Sequence, residues 1–425
     1  MHDNLDINIE QISKTEGHAD LEVKVRNGRV EDVKLKISEN KRFYTQAVRR
    51  RSYLSVPQFV SRICGTCSIA HMTCSNEAIE KCLQILPSKQ TILLRKLAVY
   101  GMMLRDHALH LYFFCMPDLF GKDSVFDFDK AKEHWIKQAF LVKGAGNNLS
   151  KVIAGRAVHA TYERVGYFAH IPSNEEVHQL VKELRSVRTH VLDLIQIFFQ
   201  STFKLERSTN FVALVTGDFS FLEGEIHDSQ GIRIKEEDYW NFLNLVTSPY
   251  SQATRFVYMG KEYMVGALAR LNLNRTALHT ETKNDVSKYL NIFPSFNIFH
   301  NNLAQAIEIL HCIDHSVQIL EEAEFKEESP PKYDIHGGRG VGVIEAPRGT
   351  LYHMVELDDQ GRVRHANFVI PTAQNQIKME EDMKMLIPQI LDRSKHEIEH
   401  ELEKVVRAYD PCMSCASHFL RVKWT

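Results

Sequence analysis

Two CxxC pairs near opposite ends of the chain constrain its fold more than any other feature of the sequence. Cys64 and Cys67 form the first pair, and Cys412 and Cys415 form the second. Two intervening residues let both sulfur atoms of a pair turn toward one soft metal ion, so two pairs can supply four thiolates. Since roughly 345 residues separate the pairs, a shared site would close the whole fold on itself.

Spacing alone leaves three interpretations of the paired cysteines open. Zinc ribbons and knuckles bring their pairs together within a few tens of residues, which weighs against a local structural zinc site but not against zinc itself. A dithiol redox pair would account for only one of the two motifs. A four-thiolate metal site would account for both. The other four cysteines are expected to be small buried hydrophobic residues: Cys74, Cys82, Cys115 and Cys312.

Charge and hydropathy limit the classes of partner and the compartment. The 425-residue chain has a formal net charge of −2, which argues against nucleic acid because a phosphate-binding surface needs a basic excess. Residues 1–10 are acidic and polar, unlike a secretory signal. No segment reaches the ~20 apolar residues that a membrane span requires. We therefore expect a cytoplasmic protein with no direct membrane span.

The periodicity of apolar residues predicts a mainly α-helical fold with small β additions, an α+β protein with a large helical-bundle body. Apolar residues alternate on both sides of Asn27-Gly28, which predicts an N-terminal β-hairpin. Ser173 and Glu176 form a capping box that begins an amphipathic helix. One helix is predicted over residues 376–408.

We expect a single domain built of consecutive parts. These are an N-terminal β region (1–45), a helical body (60–330), a β and loop region (331–375), a C-terminal helix with the second metal motif (376–418) and a short tail (419–425).

The residues around the cysteines resemble a known family. Residues 62–71 read RICGTCSIAH, and residues 410–418 read DPCMSCASH. This pairing of RxCGxCxxxH with DPCxxCxxH is similar to the signature of nickel–iron hydrogenase large subunits, and the compact first motif resembles the cytosolic multi-subunit hydrogenases. The resemblance covers nearly the full chain. It includes TEGH at 15–18, LRDH at 104–107, GRAVH at 155–159, EAPRG at 345–349 and IPT at 370–372.

The resemblance implies a catalytic subunit that cleaves H2 heterolytically and reversibly. All four cysteines would bind nickel, with Cys64 and Cys412 as terminal ligands. Cys67 and Cys415 would also bridge to an iron that carries CO and cyanide ligands. His71 is expected to orient a cysteine through a hydrogen bond rather than to bind metal.

Other matching positions would surround this centre. Arg348, with Asp106 and Asp410, resembles a charged canopy above the open bridging position. Without the resemblance, Asp106 in its apolar segment would be read as a satisfied polar group of the core. The positions that match the surroundings of the two cyanides are Pro347, Arg348, Pro371 and Thr372.

A proton route is also implied. The terminal thiolate of Cys412 would take the proton from H2 and pass it to Glu16, which matches the relay carboxylate of the family. Read by itself, Glu16 begins a strand-like segment in which a surface carboxylate is the default.

The chain departs from the family pattern at Thr45. Many relatives have a glutamate there, about seventeen residues before Arg62, that helps to hold a magnesium ion. A neutral hydroxyl binds a hard dication much less well than a carboxylate. We therefore expect magnesium binding to be impaired and His418, the histidine of the second motif, to lose a co-ligand. A water molecule held by Thr45 or Gln46 would take its place.

The family implies several partners. The sequence has no further CxxC cluster for an electron relay and no GxGxxG in a strand–turn–helix setting. Electrons would therefore leave through an iron–sulfur small subunit and further electron-transfer subunits. Metal-insertion factors would load the centre, and a maturation protease would remove residues 419–425.

Two other functions are alternatives for this sequence. A non-catalytic coupling subunit similar to the quinone-site subunit of respiratory complex I shares this ancestry, but such relatives generally lack the cysteine quartet. A four-cysteine structural zinc protein would carry out no redox chemistry.

Overall fold

Helices form the body of the protein in a computed structural model that describes residues 3–39 and 43–417. The predicted mainly α-helical fold with small β additions is confirmed. Within the described ranges the helices of eight or more residues, α1 to α9, are Ser68–Leu83, Lys89–Ala108, Glu133–Ala154, Asn174–Phe199, Ala267–Asn274, Thr280–Leu290, His300–Glu322, Pro371–Ile390 and Lys395–Ala408. The four shorter α-helices are Tyr44–Ala47, Val56–Val60, Met116–Leu119 and Met413–Ala416, and a π-helix at Leu109–Cys115 extends α2. None of the described helices is long and apolar enough to cross a membrane.

The strands are short and form five small sheets in the part of the chain that the structure describes. The strands β1 to β14 are Leu5–Ile9, Ala19–Arg26, Arg29–Ile37, Glu163–Arg164, Tyr167–Phe168, Asn210–Val215, Glu225–Asp228, Arg233–Ile234, Leu243–Thr247, Thr254–Tyr258, Tyr263–Met264, Gly338–Ala346, Gly349–Leu357 and Val363–Val369. Four of the sheets are antiparallel pairs or triplets of consecutive strands: β1-β2-β3, β4-β5, β9-β10 and β12-β13-β14.

The predicted N-terminal hairpin is confirmed. Strands β2 and β3 pair antiparallel, with Arg26 opposite Arg29. Asn27 and Gly28 between them have φ angles of 51° and 70°, as a two-residue turn that follows the strand twist requires. The hairpin lies on α8, because Glu380 and Gln376 of that helix bind the backbone NH and carbonyl of Leu35.

Two glycines let β12 lie directly on α1. A Cβ atom at Gly342 would lie 2.2 Å from the carbonyl oxygen of Cys74, and one at Gly340 would lie 2.0 Å from that of Ala78. Any side chain at these positions would push the strand away from the helix. This contact sets the close spacing between β12 and α1.

The predicted helical body over 60–330 is wrong between residues 210 and 264, where strands β6 to β11 form. The sequence of β6, NFVALV, is a short apolar run whose central residues are all buried. Neighbours β11 and β7 cover both of its edges. A short run that is buried all round has no period that separates a strand from a buried helix.

The single helix predicted over 376–408 is also wrong, because α8 ends at Ile390 and α9 begins at Lys395. Ser394 caps α9, and its backbone NH donates to Glu397 at 2.9 Å in a capping box. A residue that caps a new helix cannot also continue the old one. Helix α8 begins earlier than predicted, with Pro371 in its first turn, where proline lacks only an NH that has no helical partner.

Candidate metal centre

The sulfur atoms of the two CxxC pairs lie together in the core. Sγ of Cys64 is 3.4 Å from Sγ of Cys412, and Sγ of Cys67 is 3.0 Å from Sγ of Cys415, although each of these two pairs is 348 positions apart in the chain. All four sulfur atoms lie within 4.8 Å of one another, and no cysteine of the four is more than 5% exposed. The fold thus joins its two ends at this cluster.

Local structure fixes each half of the cluster. Cys67 is the residue that precedes α1, so it lies at a helix N-terminus, which favours an anionic sulfur. The second half is held from two sides. The backbone NH of Cys412 donates to Oγ1 of Thr372 at 2.9 Å, and that of Met413 donates to the carbonyl oxygen of Glu16 at 2.8 Å.

The buried thiols cannot all ionise without a cation. Hydrogen bonds from Cys412 and the other thiols hold the pKa of Cys64 well below its ordinary value. Burial raises the pKa of Cys415 well above it. Four thiolates in one dry cluster would repel one another unless a soft metal balanced their charge. The donor set therefore fits a thiolate-bound transition-metal centre, whose loading would release protons.

A small cavity adjoins the sulfur atoms. Its walls are largely apolar, and Arg348 and Thr372 are among the polar residues that line it. Small ligands of a metal could occupy such a space and receive hydrogen bonds from these two side chains. The residues proposed to surround the cyanides, Pro347, Arg348, Pro371 and Thr372, all line this cavity.

Arg348 forms a buried ion triad with Asp106 and Asp410. One guanidinium nitrogen, Nη1, is 2.7 Å from Asp106, and the other, Nη2, is 3.0 Å from Asp410. Gln305 donates to the second oxygen of Asp410 at 2.9 Å. Two carboxylates therefore hold the guanidinium in one orientation at the wall of the cavity.

Glu16 lies beside the second cysteine motif and is half-buried. Its backbone forms a β-bridge with Cys412. Two causes raise the pKa of the Glu16 carboxyl to about 7: burial is the larger, and the negative charge of Cys64 is the second. A carboxyl group with such a pKa can both accept and release a proton near neutral pH.

Histidines near the cluster differ in what they contact. Nε2 of His71 lies 3.8 Å from Sγ of Cys415. His107 binds the Glu308 carboxylate at 3.0 Å, and His110 has partners on both ring nitrogens. Only the first of these rings reaches a sulfur atom of the cluster through a hydrogen bond in the described structure.

The proposed magnesium position is only partly described. Thr45 is buried, and its hydroxyl has no hydrogen-bond partner among the described residues. Thr45 and Gln46 line a cavity together with Glu356. His418 and the tail 419–425 lie outside the described residues.

Arg270 supports the backbone next to the cavity. The sequence motifs did not reveal this residue. It is 2% exposed and pairs with Glu308 at 2.6 Å and with Glu345 at 2.7 Å. It also donates to the carbonyl oxygens of Ala346 and Pro347, at 3.0 and 3.1 Å. Arg270 thus holds the turn at Ala346 and Pro347 in place. The residue that follows, Arg348, lines the cavity and forms the ion triad. The sequence did contain one indication of a buried, paired arginine: residues 267–271 of α5 read ALARL, a single charge among apolar residues.

Replacing Arg270 with methionine will lower the free energy of unfolding by about 3–5 kcal/mol, because it leaves two buried carboxylates unpaired. Denaturant unfolding will measure the loss. The matched control is Arg185→Met, which breaks an ion pair with Glu321 that is largely exposed to solvent and should cost less than about 1 kcal/mol. Equal losses in the two variants would contradict the structural role of Arg270.

Comparisons with known proteins agree on one family. The profile of the family described as "Nickel-dependent hydrogenase" matches residues 43–182 and 234–418. The alpha subunit of sulfhydrogenase 2 from Pyrococcus furiosus is 32% identical, over 98% of this chain and 100% of that protein. The beta subunit of the NAD-reducing hydrogenase from Cupriavidus necator is 26% identical, over 97% of this chain and 94% of that protein.

The fold also has solved counterparts. The crystal structure of an NAD+-reducing NiFe-hydrogenase in the H2-reduced state superposes with a TM-score of 0.85. It covers 98% of this chain and 100% of the solved chain, at 24% identity. The similarity therefore extends over both ends of the fold, including the two regions that carry the cysteines.

Proposed function

Because this chain belongs to the nickel-dependent hydrogenase family, we propose that it is the catalytic large subunit of a nickel–iron hydrogenase. It is an oxidoreductase of the hydrogenase class that acts on H2. The observation that carries the proposal is the cluster of four buried thiols from both ends of the chain, beside a cavity that an ion-paired arginine lines. A complex I-like coupling subunit would have no use for these four thiols.

The cysteines have distinct roles in this proposal. All four would hold nickel, and Cys67 and Cys415 would also hold an iron with CO and cyanide ligands. Once bound, such a centre supplies the Lewis acidity that polarises H2 for heterolytic cleavage. Arg348 and Thr372 line the cavity and would donate hydrogen bonds to ligands bound there, while Pro347 and Pro371 would keep the walls apolar and exclude water.

The protein supplies the base and the route for the proton. Cys412 accepts the proton at its sulfur and passes it to Glu16, whose backbone adjoins it. With a pKa raised to about 7, Glu16 can take the proton and release it toward solvent at neutral pH. Asp106 and Asp410 hold the Arg348 guanidinium over the reacting position.

Partners follow from what the chain lacks. With no CxxC pair beyond the cluster, the electrons leave through an iron–sulfur small subunit and further electron-transfer subunits. We place the complex in the cytoplasm, with metal-insertion factors and a maturation protease that removes residues 419–425. Magnesium is bound weakly or is replaced by water, because Thr45 offers a hydroxyl where relatives offer a carboxylate.

Metal analysis combined with infrared spectroscopy tests the proposal on the chain purified with its partners. We expect about one nickel and one iron per chain, with sharp bands in the CO and cyanide stretching region. Zinc alone without such bands, in cells that contain the maturation machinery, would overturn the proposal and favour the structural zinc protein.

A further inference from the structure

Two fully buried histidines form a pair directly behind the cluster. His71 lies on α1 and His353 lies on β13, with exposures of 1% and 0%. Nδ1 of His71 is 3.1 Å from Nε2 of His353. The opposite nitrogen of His71, Nε2, faces Sγ of Cys415 at 3.8 Å. A chain of three side chains therefore leads from strand β13 to a cysteine of the cluster.

The outer nitrogen of this chain determines where the protons lie. Nδ1 of His353 is buried and has no hydrogen-bond partner among the described residues. Its ring packs against Phe368, with the ring centroids 4.4 Å apart. A buried NH without an acceptor is among the rarest features of folded proteins, more so than an unsatisfied acceptor. His353 therefore carries its proton on Nε2, the nitrogen that faces His71.

That assignment fixes the second ring. Since Nε2 of His353 donates, Nδ1 of His71 must accept, and the proton of His71 is then on Nε2. Each ring then carries a single proton and is neutral, because Nδ1 of His353 has no acceptor and Nδ1 of His71 is itself the acceptor. The single NH of His71 is left pointing at the sulfur atom of Cys415.

We propose that His353 is a positioning residue that holds His71 in the Nε2–H form and aims this donor at the sulfur of Cys415. The inference rests on the proposed function, in which that sulfur bridges to iron. A hydrogen bond to a thiolate withdraws charge from the sulfur and so weakens its donation to the metal. His353 thus tunes the electron density of the centre without touching it.

Infrared spectra of the purified holoenzyme test this with two variants. In His353→Leu the donor to His71 is lost, so the bond to Cys415 weakens and the CO band will move to lower wavenumber. In His353→Gln the side-chain amide can donate in place of the ring, so the band will return toward its original position. The control is His336→Gln, which changes a half-buried histidine whose Nδ1 forms a hydrogen bond with the carbonyl oxygen of Gly337, and no shift is expected there.

A second measurement uses the wild-type protein, so it gives a result even if the variants fail to incorporate their metals. Long-range proton–nitrogen spectra of histidine-labelled wild-type protein, assigned with His71→Gln, will show the proton of His71 on Nε2. A proton on Nδ1 would overturn the inference, as would an unshifted CO band in His353→Leu. Failure of the proposed function is distinct, because the wild-type protein would then have no CO band.

Discussion

Removing the thiol of Cys415 will abolish hydrogenase activity and leave the chain without stoichiometric nickel. Its sulfur lies 3.0 Å from that of Cys67 in a cluster that is closed to water. In Cys415→Ala no other described side chain at the cavity supplies a thiolate sulfur in its place, because besides the other cysteines of the cluster its polar residues are Thr372, Arg348 and His71. Nickel content by mass spectrometry and H2-dependent dye reduction are the measurements.

The matched control for this change is Cys312→Ala. Cys312 is also fully buried, on α7, but it lies outside the cluster, and burial raises the pKa of its thiol well above the ordinary value. It should cost a small cavity and no metal. Nickel at wild-type stoichiometry in Cys415→Ala, or its loss in Cys312→Ala, would contradict the ligand assignment.

The second large effect is a loss of H2 oxidation when Glu16, the relay carboxylate, is replaced. Glu16→Gln will lower H2 oxidation about 10²–10⁴-fold, because an amide of nearly the same shape cannot take up a proton. Nickel, iron and the infrared bands will persist, since Glu16 contributes only its backbone to the position of Cys412. The exposed Glu10, in the same strand region, provides the control variant Glu10→Gln.

The pH dependence of the same reaction has a definite sign. Because the pKa of Glu16 is raised to about 7, the carboxylate that accepts the proton is depleted as the pH falls through 7. The rate of H2 oxidation in the wild-type protein will therefore decline on the acidic side of neutrality, and this step will be absent in Glu16→Gln. Activity in Glu16→Gln close to that of the wild type, with an unchanged pH profile, would exclude Glu16 from the proton route.

Local patterns in the sequence predicted the elements whose interactions span only a few residues. The Asn27-Gly28 turn and the Ser173–Glu176 capping box each satisfy their own backbone groups, so the neighbours in the sequence are sufficient to specify them. The missed strands between 210 and 264 illustrate the opposite case. Strand β6 is a strand because β7 and β11 bind its edges, and nothing in its own six residues requires that.

The site divides in the same way. The sequence by itself determined the chemistry: four thiols in two CxxC pairs, with flanking motifs that identify the family. Only the tertiary structure revealed Arg270 and His353 as supporting groups, because they act on the site through the Pro347 carbonyl and through the His71 ring from elements far from the cysteines in the chain. The residue type determines which chemistry a side chain is capable of. Its charge, its tautomer and its orientation depend on burial and on the partners that packing brings to it.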